Sequence, residues 1–375
     1  MSRTMARVLV AISAHGLGHL GQMAPVCQAL CELRPDIDLT IWSLLPEATL
    51  RGRMTSDFHY LAAPCDIGFV MHDALQVDIP ASWARYRQRE TDWASHLDAA
   101  CRLVRSVSPG LIISDVGEMP LAAGQALNLP NIAMSSLNWA DMARFYFQDL
   151  PGALPVLTRL NHIYNQTTLA LRLTPGMPMH GQKEIIVPPV GTLSPDSKAQ
   201  LRTHLEAHLP EAYRARPWVL IGMGGIESAL PMTHWPAQTA LTLVVANQHT
   251  LPAEGLPEKG IVNGARLAQL SGLHFTDLLK AADAVICKPG YGTFVEAALA
   301  ATPLLYVPRT DWPEQSVLTE WLHTQALCAA LPAYEFAKGY FADALQALLS
   351  QPVKPPIPSQ GASVTAAKIL RLLPA

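Results

Sequence analysis

The chain has 375 residues, 50% of them hydrophobic and 15% charged, so it can bury one or two large cores and does not belong to the disordered class. Lys and Arg number 27 against 30 Asp and Glu, a formal net charge of -3, which leaves no basic excess for a phosphate backbone and argues against a nucleic-acid partner. Six scattered cysteines form no CxxC pair, as expected of reduced thiols in a cytoplasm, and no apolar run approaches the ~20 residues that an integral membrane span needs.

Residues 1–7 are basic, but the apolar run at 8–12 is shorter than a signal core and stops at a His/Gly loop, so it reads as a first strand. Met23, Val26, Cys27, Leu30 and Leu33 then recur at helical spacing. A second strand is expected at 39–42, and one long helix at 83–107 with Leu97, Ala100, Cys101 and Val104 on one face. A third strand at 111–113 ends at Asp115, and a helix at 120–127 and a strand at 131–134 follow. Strands that are apolar throughout and alternate with helices point to a parallel sheet covered on both faces. The stretch 187–197 is rich in turn formers and reads as a linker. The pattern then restarts, with apolar runs at 218–221, 241–245, 284–287 and 304–307 between helices that include 275–281 and 293–300. After a proline-rich stretch at 351–358, a helix at 364–373 carries Ile369, Leu370, Leu372 and Leu373 on a face that needs a surface to cover. The expected class is α/β, with two tandem Rossmann-like doubly wound domains at 1–190 and 191–355 and a terminal helix within 356–375.

Gly16-Leu17-Gly18-His19-Leu20-Gly21 matches the dinucleotide fingerprint GxGxxG between a strand and a helix. That reading wants an acidic residue at the end of the second strand; Asp36 and Asp38 instead precede it. The same loop holds His15 and His19, side chains able to move protons near neutrality. Asp115, at the carboxyl end of a neighbouring parallel strand, would lie beside them and fix the imidazole tautomer, making a general base; a His19 that only bonds the backbone is the plainer alternative. In the second half, Lys288-Pro289-Gly290-Tyr291-Gly292-Thr293 is strand, glycine turn and helix start, with Thr293 expected to open the helix, and residues 222–225 repeat the arrangement. Helix N-termini behind glycine turns suit phosphate, although ordinary tight turns would look the same. His15 and His19 are separated by glycines, Asp36-Ile-Asp38 precedes a strand, and Cys27 and Cys31 lie among apolar neighbours, so neither a metal site nor a cofactor is expected. Trp83, Tyr86, Trp93, Trp139, Phe145, Tyr146 and Phe147, with Arg85, Arg87 and Arg89, fit either an acceptor surface or core and solvated helix face equally well.

Gly18-His19, Ser114-Asp115, the Lys288–Thr293 turn, Glu296, the run 302–308 and Asp311-Trp-Pro-Glu314-Gln315 together resemble the GT-B nucleotide-sugar glycosyltransferases. The relatives include the plant-type UDP-sugar transferases and the peptidoglycan lipid-intermediate N-acetylglucosaminyl transferase; the likeness is greatest to the glycosyltransferase-like N-terminal part of arabinokinases. It implies two domains facing across a cleft, with the C-terminal helix crossing back to the first. It also implies a catalytic His19 oriented by Asp115, with His15 as fallback. For the donor it implies Gly18, Gly224, Gly225, Lys288, Gly290, Tyr291, Gly292, Thr293, Glu296, Asp311, Glu314 and Gln315. The family commonly has a His-Gly or Ser-Gly pair where this chain has Lys288-Pro289-Gly290. Arabinokinases add a kinase domain, which these residues do not contain, so no sugar-kinase activity is implied.

The implied function is metal-independent, inverting transfer of a sugar from a nucleoside-diphosphate sugar, expected to be a UDP-sugar, to an unidentified acceptor hydroxyl in the cytoplasm. The alternatives are a nucleotide-sugar epimerase or hydrolase of the same fold and a non-catalytic nucleotide-sugar-binding module.

Overall fold

The computed structural model describes residues 5–73, 75–181, 183–225, 230, 232–238, 240–246 and 251–373, so part of the basic N-terminal stretch, 1–4, lies outside the described residues. The chain forms two compact units, one of Met1–His72, Val77–Val190 and Gln360–Ala375, the other of Asp73–Gln76 and Gly191–Ser359.

In the first unit, β1 (Ala6–Ala11), β2 (Ile37–Ser43), β3 (His59–Ala62), β4 (Leu111–Ser114), β5 (Asn131–Ser135), β6 (Leu169–Leu173) and β7 (Glu184–Val187) form a parallel sheet in the order β3-β2-β1-β4-β5-β6-β7. Leu9, Val10 and Ala11 on β1 and Leu111 and Ile112 on β4 are fully buried, as strands covered on both faces must be. The order reverses between β1 and β4, which pair with Ala11 opposite Ser114. Their carboxyl ends therefore open onto the crevice where doubly wound sheets place ligands. The terminal helix Gly361–Leu370 packs on the helix Leu17–Leu33, burying Thr365, Ala366 and Ile369. Gly361 is needed for this docking, because a Cβ there would lie 1.8 Å from the Pro189 carbonyl oxygen.

The second unit repeats the plan with β8 (Trp218–Gly222), β9 (Thr242–Val245), β10 (Ile261–Asn263), β11 (Ala284–Cys287), β12 (Leu304–Tyr306) and β13 (Cys328–Ala330), in the order β10-β9-β8-β11-β12-β13. Its switch point lies between β8 and β11, where Gly222 stands opposite Cys287. Residues 73–76 join this unit: Leu75 packs on its core, and its carbonyl accepts from Arg309 Nε at 3.2 Å.

Several elements differ from the sequence expectation. The stretch 83–107 is two helices, Ile79–Thr91 and Trp93–Val107, broken at Asp92. Arg159 grips both sides of the break, bonding Glu90 at 2.7 and 2.8 Å and lying 4.8 Å from the Trp93 ring. The helix expected from Thr293 opens at Tyr291 with Gly290 as its N-cap. Gly18 and His19 are not in a loop but in the first turn of Leu17–Leu33. β3, β6, β7, β10 and β13 were not anticipated. Four of these, β3, β7, β10 and β13, are the sheet edges, with short or part-exposed sequences, where pairing rather than a local apolar run creates the strand. No helix among the described residues is long and apolar enough to cross a membrane.

Candidate functional site

The β1–β4 switch point brings His19 Nδ1 to 3.2 Å from Asp115 Oδ2, with the imidazole residue 9% exposed and the carboxylate fully buried. Asp115 is held from three directions. The Ser13 backbone N–H donates to both its oxygens at 3.3 and 3.4 Å, the Val116 N–H donates to Oδ1, and its own N–H donates to the Ala11 carbonyl at 3.2 Å. A buried carboxylate satisfied in this way cannot swing, so the imidazole facing it is fixed in orientation. His15 has a different environment: its Nε2 lies 3.1 Å from the Phe69 carbonyl, and Gly68, at φ +61, closes over it with room for a Cβ only 3.1 Å from the ring. The structure brings the His19 ring to a carboxylate and the His15 ring to a backbone carbonyl.

Behind this pair lies a set of polar groups that sequence reasoning missed. Trp139, fully buried at the start of the helix Trp139–Phe147, stands edge-on to both His15 and His19, with ring centroids 5.2 and 5.7 Å away. Its indole N–H donates to Asp66 at 2.8 Å. Burial, opposed by hydrogen bonds from Ser13 and Trp139 and aided by the charge of Asp115, holds the Asp66 carboxyl above the usual carboxylate range. Glu118, fully buried at the first position of the helix Glu118–Ala126, is pushed up to about 8 by burial and by Asp66. Arg89 opposes this from 3.7 Å, and backbone N–H groups of Ile67 and Glu118 also favour the anion. Among the described residues, however, neither Glu118 oxygen has a partner at hydrogen-bond geometry. Asp66 and Glu118 sit in and beyond connections to short, part-exposed strands or apolar turns, with no spacing that marks them. Trp83 and Tyr86 are core residues, whereas Tyr146 is part-buried and Phe145 is exposed on the same aromatic cluster.

In the second unit the β8–β11 switch point brings together the two glycine turns. Gly224, at φ +86, sits so close to Lys288 that a Cβ would lie 2.8 Å from its Cε and 3.3 Å from Nζ. That backbone conformation favours glycine, and a Cβ there would displace the end of the Lys288 side chain. Gly290 is extended, and among the described residues a Cβ on it would meet only the Lys288 carbonyl, at 3.9 Å. Tyr291, Gly292 and Glu296 are buried on the helix Tyr291–Ala300, Thr293 is part-buried and Gly225 is exposed. Burial, then the nearby Arg309, lowers Lys288 to about 8, against the pull of Asp73. Arg309, which the sequence did not single out, is buried with its guanidinium 4.1 Å from the Trp312 ring centroid. Glu314 Oε2 accepts from the Trp312 indole at 3.1 Å, and Gln315 Oε1 accepts from the Arg309 backbone N–H, so both side chains brace the loop that also carries the part-buried Asp311. Two cations, two glycine turns and a helix N-terminus meet at one sheet edge, a combination whose chemistry suits an anion.

No protein-family model matches the chain. An L-arabinokinase of Arabidopsis thaliana is 23% identical over 316 residues, which cover 83% of this chain and 29% of that protein. Among solved structures, the spinosyn rhamnosyltransferase SpnG matches with a TM-score of 0.55 at 17% identity, over 98% of this chain and 95% of its own. The glycotransferase of kitacinnamycin matches with a TM-score of 0.59 at 13% identity, over 98% and 99%. The glycosyltransferase SnogD from Streptomyces nogalater matches with a TM-score of 0.54 at 18% identity, over 98% and 100%. With two parallel sheets in tandem, each flanked by helices and each reversing its strand order after two crossovers, the chain has the GT-B fold.

Proposed function

We propose that the chain is an inverting glycosyltransferase that uses a nucleoside-diphosphate sugar, with a uridine nucleotide as the donor base. The observation that carries this reading is the His19–Asp115 pair at the first switch point. Asp115 keeps a proton on Nδ1 and leaves Nε2 as the basic nitrogen. An acceptor hydroxyl is far less acidic than imidazolium, so Nε2 takes its proton as the oxygen attacks the anomeric carbon. The bond to the diphosphate breaks in the same step, with inversion at that carbon. The departing diphosphate gathers charge where Lys288, the Gly224 turn and the N-terminus of Tyr291–Ala300 supply positive potential. Similarity to structures named as glycosyltransferases supports the reading, and SpnG has also been solved with thymidine diphosphate, so that base belongs in the same test.

The test has two parts. Thermal unfolding is followed with UDP, dTDP and NAD, because a ligand that binds only the native state raises its midpoint. Donor consumption is then measured for the parent chain and His19→Ala. A midpoint rise with UDP, and loss of turnover with binding retained in His19→Ala, are expected. Unchanged turnover in His19→Ala rejects the base. A response to NAD alone rejects the donor class. Binding without any turnover in the parent favours a nucleotide-sugar-binding module, a second reading supported by the kinase name of the relative of which this chain spans 29%.

A further inference from the structure

We infer that Asp66 is a positioning residue for the His19–Asp115 pair, acting through Trp139 and Ser13. This rests on His19 being the proton acceptor proposed above.

Asp66 reaches the pair by two routes. Its carboxylate accepts the Trp139 indole N–H at 2.8 Å, and the indole edge stands against both imidazoles. The Ser13 hydroxyl lies beside the same carboxylate and favours its ionised form. The Ser13 oxygen accepts from the His15 backbone N–H at 3.1 Å, while the Ser13 backbone N–H donates to Asp115. One carboxylate therefore sets the tilt of the aromatic wall beside His19 and the position of the residue that clamps its partner. The indole bond to Asp66 is the polar contact that sets the tilt of this ring, and its edge-on packing against the imidazoles passes that tilt on to them. The carboxylate also lies within electrostatic reach of His19, favouring its protonated form as Asp115 does.

The charged and titratable groups around Asp66 include His19 itself, with the His15 ring 6.4 Å from it between centroids, so both histidine resonances are followed. Asp115 follows β4, and Glu118 begins the next helix, with Arg89 beside it. Tyr86 and Tyr164 approach from Ile79–Thr91 and Ala153–Asn165, and Cys65 precedes Asp66 in the chain. Burial pushes both phenols and the thiol far above neutrality, so none of them changes charge between pH 5 and 8. Glu118 does titrate near the top of that range, so the measurement below is repeated in Glu118→Gln.

The decisive experiment is a histidine NMR titration, which needs no substrate. The His19 resonance is assigned by its disappearance in His19→Ala, and its titration midpoint and ring-nitrogen tautomer are compared in the parent, Asp66→Asn, Asp66→Glu and Trp139→Phe. Asp66→Asn is expected to lower the midpoint by about half a pH unit or more. Trp139→Phe, which keeps the ring and removes the N–H, is expected to mix the tautomers, and Asp66→Glu to restore the parent values. Where turnover is measurable, Asp66→Asn and Trp139→Phe should each lower kcat about tenfold with little change in KM. The double variant should be no worse than Asp66→Asn alone, since Trp139→Phe removes only one of the two routes that Asp66→Asn already removes. A His19 midpoint and tautomer unchanged in both single variants would overturn the inference, whatever happens to stability. A shifted midpoint in a chain whose turnover does not depend on His19 keeps the positioning role and rejects the transferase reading.

Discussion

Glu118→Gln offers a direct reading of the buried acid cluster. Two effects compete at this carboxyl. Arg89 at 3.7 Å and the helix N-terminus favour the anion, but the contact is longer than a hydrogen bond and the dipole contributes no more than about 2 kcal/mol. Complete burial and the neighbouring Asp66 favour the neutral acid and win, placing the group at about 8 against 4.5 for an ordinary glutamate. Between those values the native chain holds a proton that the unfolded chain has released. Stability is therefore lost as pH rises, by about 1.4 kcal/mol per unit, and the loss levels off above the native value. Over the two units from about pH 5.5 to about pH 7.5 this amounts to roughly 3 kcal/mol. Glutamine keeps the shape and does not titrate, so the variant escapes this loss. Urea unfolding of both proteins at the two pH values, followed by tryptophan fluorescence, should show the stability difference moving in favour of Glu118→Gln by that amount as pH rises. Parallel pH dependence would refute the reasoning and mean that Arg89 holds Glu118 ionised.

Further outcomes follow from the same geometry. Asp115→Asn should lower kcat by roughly 10²–10⁴-fold while leaving nucleotide affinity within about twofold, because it disturbs the imidazole and not the phosphate site; paired turnover and calorimetric measurements check this. Nucleoside-diphosphate affinity of the parent should decline as pH rises above about 8, where Lys288 loses its charge. Lys288→Met should bind about tenfold more weakly at neutral pH and without that decline, so calorimetry that gives identical pH profiles would exclude the lysine from the phosphate site. Gly361→Ala puts a Cβ against a backbone carbonyl that cannot yield, so the helix Gly361–Leu370 should lift from Leu17–Leu33. Faster hydrogen exchange in both helices and a loss of more than about 2 kcal/mol in stability are expected; parent-like exchange would contradict the docking described above.

The amino-acid sequence by itself determined the α/β class and the interior of both sheets. Val8 to Ala11, Leu111 to Ile113, Trp218 to Ile221 and Ala284 to Cys287 are apolar at every position and too short for helices, the pattern of strands covered on both faces. The glycine turn at Lys288 to Thr293 and the pairing of His19 with Asp115 were also legible, because both follow from strands ending at one edge of a parallel sheet. Edge strands such as β7 and β13 were not, since pairing with a neighbour creates them, nor was the break at Asp92, where Arg159 from another helix grips both sides. Only the tertiary structure brought Asp66, Ser13, Trp139 and Glu118 beneath the histidines, and Arg309 beside Lys288. These residues come from separate connections whose local sequences satisfy no period, and their protonation is set by burial and by mutual charge, quantities that exist only once the chain has closed around them.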